Sequence, residues 1–144
     1  MDLYEDVTQI YLTAVEGLFL LPQCQIKHSV EGKPWFACPD FVALDFRDRR
    51  IQVIEVTKRD ARDTVELAEK LRLSHRSHVE HYVRTTTLAN ALEYPFQWRF
   101  FVRDEAAANA LKQADAYKHY VATGGEVEVA TLHAVFASIS KIMP

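Results

Sequence analysis

Cysteine is scarce in this chain, and Cys24 and Cys38 are the whole supply. Two cysteines are too few for a disulfide framework and lack the paired spacing of a zinc site, so reduced thiols in a cytoplasmic protein are expected. A single disulfide between them stays open as the alternative. Glycine and proline are also few, at four and five, and no Ser/Gly/Pro-rich stretch or internal repeat marks a linker or a second unit. Long apolar runs are missing. The longest, residues 12–22, contains Glu16 and is about half of the ~20 residues that a membrane-spanning helix needs. The opening MDLYEDVTQ carries acids where a secretory signal has a basic region, so neither secretion nor membrane insertion is expected. An excess of positive charge is absent too. The formal net charge of -3 argues against a protein that coats nucleic acid by bulk electrostatics.

What is present is an ordinary globular composition, 49% hydrophobic and 26% charged, in 144 residues, enough for one buried core. The cations are clustered. Arg47, Arg49, Arg50, Lys58, Arg59 and Arg62 fall close together, and Lys70, Arg72, Arg76 and Arg84 follow, so a local basic face is expected within an acidic total.

Apolar residues Val7, Ile10, Tyr11, Ala14 and Leu18 recur at three- and four-residue steps, which predicts a helix over residues 7–21 ending at Pro22. Alternation over residues 25–30 before Glu31-Gly32-Lys33-Pro34 predicts a first hairpin. Residues 35–46 and 51–57 are rich in β-branched and aromatic side chains, and the charged turn at 47–50 makes them a second hairpin. No glycine or proline interrupts residues 60–84, which predicts one long exposed helix. A strand at 97–103, a helix over 104–121 capped by Asp104, a strand at 126–132 and a final helix complete the order. The expected fold is α/β: a single domain with a central mixed β-sheet flanked by helices.

Two segments carry chemistry. Cys38-Pro39-Asp40 opens one hydrophobic strand, and Ile54-Glu55-Val56-Thr57-Lys58 ends the next, fifteen positions after Asp40. Carboxylates on adjacent strands can converge on a hard divalent cation, which takes oxygen ligands and keeps waters for substrate and nucleophile. Pro-Asp is a common turn former, so Asp40 alone would read as structural. Its pairing with a lone Glu55 inside an apolar strand, which packing does not explain, tips the reading toward function. Glu16 has Leu12, Phe19 and Leu20 as helical neighbours, and a carboxylate in such surroundings needs a partner, either the same site or an arginine.

On these residues the chain resembles the PD-(D/E)XK nuclease superfamily, over roughly residues 7–103. Pro39, Asp40 and Glu55 match its motif, Glu16 matches the acid that its leading helix often bears, and the order of elements agrees. The resemblance implies a restriction-endonuclease-like αβββαβ core across residues 1–144, with Asp40 and Glu55 holding Mg²⁺ or Mn²⁺ and the main-chain oxygen of Val56 completing the shell. It further implies catalytic roles for Asp40, Glu55, Lys58 and Glu16 in hydrolysing phosphodiester bonds of DNA. Arg59, Arg62, Lys70, Arg72 and Arg76 would meet the nucleic acid, and a homodimer would cut two strands symmetrically. One position departs from the pattern. The lysine expected two residues after the acid is replaced by Thr57, and Lys58 alternates to the other strand face. A β-bulge would turn it back, or Lys70 would reach in from the following helix; failing both, the chain would be an idle relative acting through binding or assembly. His75, His78 and His81 step by three along the long helix, but interleaved arginines read this as a solvated face.

Overall fold

The computed structural model describes residues 2–21, 26–30, 33–37, 39–86 and 92–142, with backbone placement only for 26–30 and 33–37. Cys24, Cys38, Pro22 and the Glu31-Gly32 turn lie outside the described residues.

The chain opens with helix α1 (Leu3–Ile10), which begins four residues earlier than its apolar spacing suggests. Asp2 and Glu5 form a capping box, each side chain meeting the other's backbone N–H, which satisfies two donors that a helix start would otherwise leave bare. The helix widens into a π-turn (Tyr11–Val15) and stops at Gly17, whose φ of 69° is the left-handed conformation that glycine adopts at a helix end. The expected core helix therefore ends early. Residues beyond it form a short strand, β1 (Phe19–Leu20).

Strands β2 (Ile26–Val30) and β3 (Lys33–Ala37) pair with each other as a separate antiparallel ribbon. The main sheet has the order β1-β4-β5-β6-β7, with β4 (Phe41–Asp45), β5 (Arg50–Val56), β6 (Phe96–Val102) and β7 (Val127–Thr131). It is mixed. β1-β4 and β4-β5 are antiparallel, whereas β5-β6 and β6-β7 are parallel and so require helical crossovers. The first crossover is α2 (Ala61–Thr64), a 3₁₀ stretch (Val65–Leu71) and α3 (Leu73–Thr86); the second is α4 (Glu105–Gln113) and α5 (Asp115–Ala122). Helix α6 (Leu132–Ile142) closes the chain. Both long helices expected from the sequence are broken, at Arg72 and Ala114, where ψ swings to 143° and 140°. Neither break carries a glycine or proline. Local pattern records neither break.

Alternation along the strands divides the core between the two sheet faces. Val42, Leu44, Ile51, Val53, Trp98, Phe100 and Val102 face α3, α4 and α5, while Phe41, Ala43, Ile54 and Phe101 face α1 and α6. β5 is buried along nearly its whole length, as expected of a central strand covered on both sides. Among the described residues no helix is long and apolar enough to cross a membrane.

Candidate functional site

Glu55 is the position on β5 that departs from an otherwise apolar, α3-facing row, Ile51-x-Val53-x-Glu55, and it is only 5% exposed. Phe41 pairs with Ile54, so the antiparallel register brings Asp40, one step before β4, alongside Glu55. Asp40 is anchored there by the Val56 backbone N–H, which donates to its Oδ2 at 2.7 Å. Glu55 is thus fixed within a strand, and Asp40 by its hydrogen bond to that strand's backbone.

Two further side chains join them. Glu5, on the first turn of α1, interacts electrostatically with Asp40, and Asp40 with Glu55. Lys70, from the 3₁₀ stretch, places its Nζ 3.0 Å from Glu55 Oε1. The result is a row of three carboxyls ending in one ammonium. Burial, then the negative charge of Glu55, pushes Asp40 up to about 6, against the Val56 N–H and the Glu5 interaction that favour its ionised form. Burial also raises Glu55 despite the opposing pull of Lys70, and burial followed by contact with Asp40 raises Glu5. Acids that raise one another in this way are relieved by a shared proton or by a cation.

The other sequence-derived candidates lie as follows. Glu16 is not in this group: its two oxygens accept from Arg99 Nη1 at 2.7 Å and Nη2 at 2.9 Å, so the arginine alternative is the one realised. Arg99 and its further partners Gln52 and Glu128 belong to the sheet face opposite Glu55. The helical acid beside Asp40 is Glu5, which sequence reasoning passed over by starting the helix at residue 7; the Asp2-x-x-Glu5 capping-box spacing is the signal that would have found it. Lys58 is exposed, with its ammonium 5.6 Å from the centre of the Tyr4 ring. No bulge returns it to the Glu55 face, and Lys70 is the amine that arrives. Thr57, at the motif position, is buried and continues the pairing of β5 with β6 through Phe101 O.

The cations divide into two sets. Arg76 donates to Leu71 O and lies over the Tyr120 ring at 4.4 Å, and Lys70 is committed to Glu55. Arg59, Arg62 and Arg72 are exposed, Arg59 standing 3.7 Å from Glu66 and Arg72 paired with Glu69. His75 is half-buried with its ring 6.3 Å from that of Trp98, while His78 and His81 are exposed. Among the described residues no three His, Cys, Asp or Glu side chains form a ready-made metal cage. The donor set at Asp40 and Glu55 is instead that of a hard cation held by one or two carboxylates and otherwise by water and substrate. A cavity of about 670 Å³ lies elsewhere, between Glu16, Arg47, Arg50, Arg99 and Glu128. Glu16, Arg50, Arg99 and Glu128 there are already in ion pairs, so cavity size does not mark the chemistry here.

No match exists to compare it with. Neither a family model, nor a curated protein, nor a solved structure is similar to the chain. The functional reading rests on the residues alone.

Proposed function

We propose that this protein is a metal-dependent nuclease of restriction-endonuclease-like fold that hydrolyses phosphodiester bonds of DNA. The observation that carries the reading is the Asp40-Glu55 pair on adjacent strands, with Lys70 Nζ 3.0 Å from Glu55 and the Val56 N–H fixing Asp40. Asp40 and Glu55, with the Val56 carbonyl, would hold Mg²⁺ or Mn²⁺. Such an ion lowers the pKa of bound water and stabilises negative charge growing on the phosphate.

This chain's own residues do the rest. Lys70 donates a hydrogen bond to the attacking water or to a phosphate oxygen, the role that the motif lysine would fill from the strand. Glu5 keeps Asp40 oriented from α1. Water attacks phosphorus, the bond to one ester oxygen breaks, and that oxygen leaves with a proton as the alcohol. Arg59 and Arg62, exposed on the segment that follows β5, offer charge to the DNA backbone beside the acids. Lys58, Glu16 and Arg76 have no part in the chemistry on this reading. Symmetric cutting of a duplex would call for a homodimer.

A second reading has its own observation. Glu55 already has an ionic partner in Lys70, as it would in an idle relative that binds nucleic acid or assembles with partners. Cleavage decides between the two. Supercoiled, linear, single-stranded and branched DNA should be cut in Mg²⁺ or Mn²⁺ by the wild type and left intact by Asp40→Ala and Glu55→Ala variants that melt cooperatively. Silence on every substrate would favour the idle relative.

A further inference from the structure

The segment that delivers Lys70 is unusual in its winding. Residues 65–71 form seven residues of 3₁₀ helix, whereas such runs rarely exceed three or four. They lie in a stretch with no glycine or proline to break an α-helix. With three residues per turn, Lys70 eclipses buried Leu67, so the winding itself aims the amine inward. An α-helical turn would rotate it away by about 60°. Leu67, Ala68 and Leu71 hold the stretch against the sheet while Glu66 and Glu69 face solvent. Lys70 keeps one side partly open, and its ammonium rests on a carboxylate that is almost wholly buried. Asp40, just before β4, and Glu5, from α1, interact with that carboxylate and are two further acids with no ion pair among the described residues. The amine is therefore the resident counter-ion of an acid centre that is otherwise over-charged.

We propose that Lys70 competes with the divalent cation for Glu55, so that the metal enters by displacing an ammonium held in place by the 3₁₀ winding. This inference rests on the metal-centre reading above and adds a second duty to the lysine. Before metal binds, it occupies a ligand; afterwards, the freed amine is the one available to the scissile phosphate. The arrangement keeps metal affinity low in the free protein and makes the lysine act oppositely on binding and on turnover. Tighter metal binding together with lost turnover would not follow from a merely structural ion pair.

The test is calorimetric titration of the metal-free full chain with Mn²⁺ alone at pH 8.5, comparing wild type with Lys70→Gln, Lys70→Met and Lys58→Met. Loss of one adjacent positive charge should tighten Mn²⁺ binding by about tenfold in both Lys70 variants, while Lys58→Met stays at the wild-type value. Lys70→Gln retains a hydrogen-bond donor for Glu55 and serves if the methionine variant fails to fold. Unchanged or weaker Mn²⁺ binding in the folded Lys70 variants would overturn the proposal, as would the absence of any Mn²⁺ binding. Cleavage is read separately: a chain that binds Mn²⁺ more tightly without Lys70 yet cuts no DNA would sink the nuclease reading and leave this one standing.

Discussion

The sheet carries two polar centres that differ in their charge balance. On the α1/α6 face, Arg99 is 3% exposed and is met by both oxygens of Glu16, by Gln52 and by Glu128. Charge there is nearly matched, and every terminal guanidinium nitrogen has an acceptor; only Arg99 Nε is left without one. At the edge of the other face Glu55, which interacts with Asp40 and with Glu5 from α1, has one ammonium, that of Lys70, among the described residues. Burial raises the pKa of all three acids. A matched buried network is a structural device. Uncompensated like charge, held against a central strand, is a cost to folding that a bound cation removes.

That contrast can be broken most sharply at Arg99. Replacing it with methionine leaves Glu16 and Gln52 facing an apolar wall and should cost about 3–5 kcal/mol, seen as an early urea midpoint with an unchanged slope. A change under about 1 kcal/mol would mean that the network is not structural. The second comparison sets the two lysines against each other. Lys70→Met should lower cleavage about 10²-fold or more, whereas Lys58→Ala should stay within about threefold of wild type. Equal losses would show that the exposed lysine takes part.

The third prediction is a pH dependence. Because the folded state raises Asp40 to about 6, it binds that proton more tightly than the unfolded chain does, whose aspartate titrates at about 3.9. The added stability is complete below that lower value and disappears as pH rises through about 6, a decline of about 1–2 kcal/mol after allowing for solvent screening. Melts between pH 4 and 8 should show the decline in wild type and a flatter curve in Asp40→Asn.

Much of this arrangement is legible in the chain itself. The α/β class, the strand pair bearing Asp40 and Glu55 and the displacement of Lys58 to the wrong face follow from alternation and apolar spacing, which report burial directly. What was missed has identifiable causes. Glu5 lay in a capping box outside the apolar pattern used to start the helix. Gly17 ends α1 early because it adopts a left-handed φ, and the breaks at Arg72 and Ala114 carry no glycine or proline that a sequence pattern would register. Lys70 is named in the sequence as an amine that would reach in from the helix after β5, and it does meet Glu55; only the 3₁₀ winding that delivers it is invisible in composition.

The central claim is that the over-charged acid centre exists for a cation and for hydrolysis, and Asp40→Asn tests it on one sample by melting and by cleavage at pH 8. The isosteric amide keeps the Val56 hydrogen bond and removes one excess charge, so the account predicts a metal-free variant more stable than wild type by about 1 kcal/mol and inert toward DNA in Mg²⁺ or Mn²⁺. A variant that is less stable than wild type and cuts as well would contradict it.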